Sequence, residues 1–457
     1  MNYRKLRGVL LVILLMLPLM QVDAAASKQD LRPESASSVS AARIEADIRK
    51  LISFGTRHTL SETGSDSHGI GAARRWVEAE FRQISSSCGN CLEVITVGDT
   101  VSGAPRIPDP VDVINVIAIQ RGSLDPDRMV LMSGDIDSRV SDPMNFTDDS
   151  PGANDNASGL AGVIEAARVL SQHEFAGSIV YAALSGEEQG LFGGRILAEY
   201  ALRNGWRIKA VLNNDMIGNI EGVDGVVDNS TARVFSEGTR YVETADEATE
   251  RRYQGGEVDS ASRNLARYID RMADAYVTNL DVMMIYRLDR FARGGHHRPF
   301  NEAGMPGVRI METHENYHRQ HQDLRTENGI TYGDVIEGVN FDYARKLTAL
   351  NAVTLAGLAS AAPFPSNVSI AGAVKADTTL SWSLPTGNAA SNLAGYKVYW
   401  RLTTEPQWTR SRYLGMVDSY TLENLVIDNY FFGVSSVSSD GYESPVVFPG
   451  GAGSFGE

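Results

Sequence analysis

Cysteine is scarce: the 457 residues hold two, Cys88 and Cys91, in the run SCGNC. A closed thiolate zinc site wants four ligands, so two thiols cannot build one. At this spacing, in a chain expected to leave the cytoplasm, they predict a small structural disulfide rather than a redox pair. Excess positive charge is missing as well, since 42 Lys and Arg stand against 57 Asp and Glu, a formal net charge of −15. A nucleic-acid groove needs a basic stripe to displace counterions, so nucleic acid is not an expected partner. Long apolar runs are confined to Val9–Met20, which follows Arg4, Lys5 and Arg7 and precedes the small residues Ala24 to Ala26. About 12 apolar residues fall short of the ~20 that span a bilayer. The pattern predicts a secretory signal peptide over residues 1–26, cut near Ala24 or Ala26, and a secreted or periplasmic protein without stable membrane insertion.

What remains is globular in composition, with 43% hydrophobic residues and enough length for two or more domains. ARIEADIRKLISF and GIGAARRWVEAEFRQI carry apolar residues at helical spacing. Then VINVIAI, MVLM, SIVYAAL, IKAVL and GVRIME form short, nearly continuous apolar runs, as strands do when both faces of their sheet are covered. Helical stripes in NASGLAGVIEAARVL and FDYARKLTALNAVTLAGLA complete an α/β pattern. The expected fold over residues 27–361 is a mixed, mostly parallel sheet with helices on both faces. Residues 219–290 break the rhythm with acidic, helix-prone sequence and read as an insertion at the sheet edge or the rim of a site. Past the linker PFPSN the pattern turns to β-runs separated by Gly, Asn, Asp and Pro; residues 362–457 are expected to form a small all-β sandwich, and with Trp382, Tyr396 and Tyr399 they resemble a fibronectin type III domain.

Ligands bind at the carboxyl ends of parallel strands, and acids gather there. Asp135 and Asp137 follow the MVLM run, Glu187 and Glu188 follow SIVYAAL, and Asp215 follows IKAVL; Asp155 precedes a helix in PGANDNASG. Each alone could cap a helix or sit in a turn. Together they place negative charge at one sheet edge that is costly without a cation. Histidines come late, as His296 and His297 in GGHHRPF and as His314, His318 and His321 in THENYHRQHQD, and carboxylates with imidazole suit zinc.

In this order and at these distances, PGANDNASG, LSGEEQGLFG, NNDMIG and HHRPFNEAGMPGVR resemble the two-zinc exopeptidases that include bacterial leucyl aminopeptidases, glutamate carboxypeptidase and the glutaminyl cyclases. The resemblance covers roughly residues 40–361. It implies that Asp155 bridges two zinc ions, with Glu188 and a late histidine, His321 or alternatively His318, on one, and Asp215 and Asp135 on the other. Glu187 is implied as the general base and Asp137 as the acid behind position 135; His297 matches the family's active-site histidine, whereas His296 replaces an acid. Asp135 also departs, since the family has histidine there. A charged oxygen ligand in that place predicts altered metal preference, toward manganese or weaker zinc. Peptides are the implied substrates and an aminopeptidase the favoured reading. A carboxypeptidase gripping a substrate carboxylate with Arg293 and Arg298, a glutaminyl cyclase, or a catalytically weak metal-stabilised adhesion protein are the alternatives.

Overall fold

Residues 30–456 are described by a computed structural model; the signal peptide expected over residues 1–26 lies outside them. Helices α1 (Arg32–Ser37), α2 (Ala41–Ile52) and α3 (Gly69–Ser87) lead into β1 (Leu92–Val101), β2 (Val111–Gln120) and β3 (Asp125–Asp135). Next come α4 (Ala157–Leu170), β4 (Gly177–Leu184), α5 (Phe192–Arg203), β5 (Arg207–Asn214), β6 (Thr231–Ser236), α6 (Ala245–Gln254) and α7 (Ala261–Tyr276). The unit closes with β7 (Asp281–Ile285), α8 (His297–Glu302), β8 (Gly307–Glu312), a short hairpin of β9 (Arg325–Glu327) and β10 (Ile330–Tyr332), and α9 (Phe341–Ser360).

Eight strands form one sheet in the order β1-β2-β4-β3-β5-β8-β6-β7, and its centre, β4-β3-β5-β8, is parallel throughout. Strand alternation sorts the apolar residues onto two faces. Val130, Met132, Ile179, Tyr181 and Ala183 pack with α2, α3, α4, α7 and α9, whereas Met129, Leu131, Val180, Ala182 and Leu184 pack with α5 and α8. That is why these runs are continuously apolar in sequence. The long closing helix α9 is pinned at its C-terminus, where buried Arg128 donates to the carbonyls of Leu358 and Ala361 at 2.8 Å each. Cys88 and Cys91 form a disulfide directly after α3.

The 219–290 segment, helix-prone in sequence and expected at the sheet edge or the rim of a site, is not helical throughout. It contains α6 and α7, but it also adds β6 and β7 to the sheet edge, where β6 pairs antiparallel with β8 and parallel with β7. TARVFS and DVMMI are strands because of partners remote in sequence. The chain past α9 forms β11 (Ser366–Ala371), β12 (Thr378–Ser383), β13 (Leu393–Leu402), β14 (Arg410–Gly415), β15 (Ser419–Leu422) and β16 (Tyr430–Ser438). They make two three-stranded antiparallel sheets around one apolar cluster that includes Trp382, Tyr396, Val398, Leu422, Phe432 and Val434. Ala261 of α7 belongs to the same cluster, so these sheets are packed on the first domain.

Among the described residues no helix is long and apolar enough to cross a membrane.

Candidate metal centre

The four central strands end side by side, and each hands the chain to a loop bearing acids or a histidine. Asp135 is the last residue of β3, Glu187 and Glu188 lie three and four residues past β4, Asp215 directly follows β5, and His321 lies beyond β8. Asp155 arrives from the loop before α4. That helix can start close to the sheet because a β-carbon on Gly134 would lie 2.6 Å from the Gly159 carbonyl carbon. Asn156 caps α4 by accepting from the Gly159 N–H at 3.1 Å, and its amide donates to Asp135 Oδ2 at 2.7 Å and to the Asn214 carbonyl at 2.8 Å.

Asp155, Glu188 and His321 each offer a ligand atom within 4.8 Å of the other two. His321 Nε2 stands 2.9 Å from both Asp155 Oδ2 and Glu188 Oε1. Two carboxylates and one imidazole fit zinc, leaving positions open for water or substrate. Supporting residues hold each of the three. The Asp155 N–H donates to Asp334 Oδ2 at 2.6 Å, the Asn154 N–H donates to Asp334 Oδ1 at 2.8 Å, and Gln320 donates to Asp155 Oδ2 at 3.2 Å. Arg139 Nε grips the other oxygen of Glu188 at 2.7 Å, while its Nη2 lies 2.7 Å from His321 Nδ1. Asp137 accepts the backbone N–H groups of Glu187 and Glu188 at 3.3 and 3.1 Å and the Thr59 hydroxyl at 3.0 Å. It therefore fixes the loop that carries both glutamates.

The concentrated charge shows in the acidities. Burial, together with neighbouring Asp215, Glu188, Asp135 and Asp155, holds Glu187 well above the ordinary carboxylate range. Burial first, then the neighbouring acids, pushes Asp135 up to about 8, Asp215 to about 7 and Asp137 to about 6. In Asp155 and Glu188 the effect of burial is outweighed by His321, and both lie below their usual values.

Residues 115–339 match the sequence pattern of peptidase family M28. A probable zinc metalloprotease of Leptosphaeria maculans is 45% identical over 412 residues, 90% of this chain and 95% of that protein. The chain belongs to peptidase family M28. A second probable zinc metalloprotease, from Pyrenophora teres f. teres, is 42% identical over 90% of this chain and 85% of its own length. The Legionella pneumophila LapA aminopeptidase shares the fold, with a TM-score of 0.53 at 19% identity over 72% of this chain and 74% of that one. Family membership supports zinc as the metal and peptides as the substrates.

Within this M28 frame the residues singled out from the sequence divide. Asp155, Glu188 and His321 come together; His318 does not join them and instead sets its ring edge-on to Tyr332, centroids 5.1 Å apart. Asp135 and Asp215 stand outside that group. Asp135 pairs with His296 Nδ1 at 2.5 Å, and Asp215 pairs with Arg309 at 2.9 Å. Glu187 and Asp215 line the same cavity, of about 400 Å³, as the Asp155, Glu188 and His321 group. His297 is fully buried, its Nε2 2.9 Å from the Leu288 carbonyl, and burial lowers its pKa to about 4. Sequence reasoning passed over Arg139, Arg309, Gln320 and Asp334. For Arg139 the signal was available, since it is two residues from Asp137; the others become visible only when their strands and loops meet.

Glu312, the last residue of β8, ties the loop before α4 to the chain after β5 by accepting from the Asn154 amide at 2.9 Å and the Asn219 N–H at 2.8 Å. Burial pushes it up to about 8 despite these bonds. A raised folded-state pKa means that the folded chain binds the proton more tightly than the unfolded one. The stability this contributes is complete at low pH and is lost as pH rises from the ordinary carboxylate range through about 8. Glu312→Gln keeps the acceptor and removes the titration. Thermal melts should therefore coincide with wild type at pH ~5, and the variant should melt a few degrees higher at pH ~9. A wild-type advantage at the higher pH would contradict the assignment.

Proposed function

We propose that this M28 peptidase is a secreted or periplasmic metallo-exopeptidase that removes single residues from the N-terminus of peptides. One observation carries the reading: Glu187 opens into the same cavity as Asp155, Glu188 and His321. A divalent ion held by those three residues would supply Lewis acidity at the scissile carbonyl. Glu187, kept in place through Asp137, takes the proton of the attacking water and returns it to the departing amine. No hydrogen bond to the Glu187 carboxylate comes from a described residue, and the side chain lines the cavity where water and substrate would meet it. A cavity of about 400 Å³ suits a chain end better than the middle of an extended peptide. Its acids Glu187 and Asp215 offer hydrogen-bond acceptors to a substrate α-ammonium.

A second reading, cleavage at the C-terminus, is favoured by arginines that line the same cavity. Arg195 has no carboxylate partner among the described residues, and Arg293 and Arg298 are paired only at 3.0 and 3.4 Å. Peptides with a free or acetylated N-terminus, each with a free or amidated C-terminus, separate the two. N-terminal release survives C-terminal amidation and is abolished by N-acetylation; the reverse pattern overturns the aminopeptidase reading. Removing metal with a chelator should abolish turnover, and adding zinc should restore it. Turnover that persists without metal removes the metallopeptidase mechanism. We also read the C-terminal sheets as a fibronectin type III-like module that steadies α7 and the insertion carrying it.

A further inference from the structure

We propose that the centre holds one divalent ion, at Asp155, Glu188 and His321, and that the guanidinium of Arg309 stands as the fixed cation where the family resemblance implies a second ion. The inference rests on the metallopeptidase reading and departs from the two-ion arrangement.

A second ion would need Asp135 and Asp215 together with Asp155. Asp135 is buried at 2% exposure, does not line the cavity, and has both oxygens engaged: Oδ1 by His296 Nδ1 at 2.5 Å and Oδ2 by the Asn156 amide at 2.7 Å. The same Asn156 side chain caps α4 through its Oδ1, so turning Asp135 toward an ion would free the amide that helps to orient that cap. His296, which replaces an acid of the family pattern, supplies the other bond. The two departures from that pattern are thus partners of one another.

Asp215 does reach the cavity, but its Oδ2 is paired with Arg309 Nη2 at 2.9 Å, and the same nitrogen donates to the Asp215 carbonyl at 3.1 Å. Arg309 is held from behind. Its Nη1 donates to the Gly294 carbonyl at 2.7 Å and lies 3.3 Å from Asp289 Oδ2. It projects from β8, beside β5, with no solvent exposure, and a guanidinium does not give up its proton in proteins. A divalent ion on Asp215 would therefore sit next to a permanent, immobile positive charge. Glu188 also carries a guanidinium, Arg139, but only on Oε2; its Oε1, Asp155 Oδ2 and His321 Nε2 meet one another in a group that lines the cavity, so three ligand atoms converge there without a cation between them. Arg309 accordingly neutralises and orients Asp215 as a positioning residue, and Asp215 is left to face substrate rather than metal.

The test is zinc stoichiometry, read by elemental analysis and native mass spectrometry on full-length protein stripped of metal and titrated with zinc. One zinc per chain is expected for the wild type, none for His321→Ala, and one, with unchanged affinity, for Asp215→Asn, which keeps its size and can still accept from Arg309. Two zinc ions in the wild type, or loss of an ion in Asp215→Asn, overturns the single-ion centre while leaving the metallopeptidase reading standing. No zinc in the wild type overturns both. Because the wild-type measurement needs no variant to fold, the outcome stands even if Asp215→Asn is unstable.

Discussion

Glu187→Gln lowers kcat by roughly 10²–10⁴-fold, the usual contribution of a positioned acid or base. Zinc content and thermal midpoint stay at wild-type values. The amide matches the carboxylate in shape but cannot take a proton from water. The loop itself is held by backbone bonds from positions 187 and 188 to Asp137, which the substitution leaves alone. Steady-state kinetics on an aminoacyl amide, paired with metal analysis, reads both halves. A rise in KM with kcat intact would make Glu187 a binding group, and a loss of bound zinc would make it a ligand. Asp137→Asn is expected to act differently, lowering kcat by loosening the loop that carries Glu187 and Glu188, with a fall in thermal midpoint that Glu187→Gln does not show.

Asp259→Ala destabilises the folded chain by about 3–5 kcal/mol, the cost of breaking a buried ion pair by removing one partner. Asp259 precedes α7 and is fully buried; it accepts from Arg401 of β13 at 2.8 and 2.9 Å and from Arg267 of α7 at 2.9 Å. Both arginines are only 1% exposed. Removing the carboxylate leaves two guanidinium groups buried side by side without their counter-charge. Those bonds join the C-terminal sheets to α7, where Trp408 Nε1 also donates to Asn264 at 3.0 Å. Urea denaturation of the full chain measures the loss, and Asp259→Ala/Arg401→Met should recover part of it by removing one stranded charge. A loss below ~1 kcal/mol would show that water or rearrangement replaces the pair.

The parallel core was readable because burial on both faces leaves a mark in the chain. Residues 179–184 are apolar without interruption, since successive side chains enter two different cores, and an amphipathic alternation would have meant one solvated face. The glutamates after β4 were readable for a related reason: parallel strands end together, so acids after successive strands must converge. The edge strands β6 and β7 left no such mark. TARVFS is six residues long, and its pairing to β8 spans more than seventy residues of chain. Whether such a run becomes strand or loop is decided by the neighbour it meets.

The same division runs through the metal centre. Sequence by itself determined the α/β class, the family resemblance, and the candidate acids and histidines, because residue type, order and spacing are local properties that chemistry constrains. It could not choose between His318 and His321, three residues apart on an irregular loop, and it gave no sign that Asp135 and His296 are partners across 161 residues. Nor could it place Arg309 against Asp215. Only the folded chain brings His321, and not His318, to Asp155 and Glu188, and sets Asp135 against His296 and Arg309 against Asp215. A metal needs open lone pairs, and whether a carboxylate's lone pairs are open depends on which donors the fold brings within ~3 Å of it.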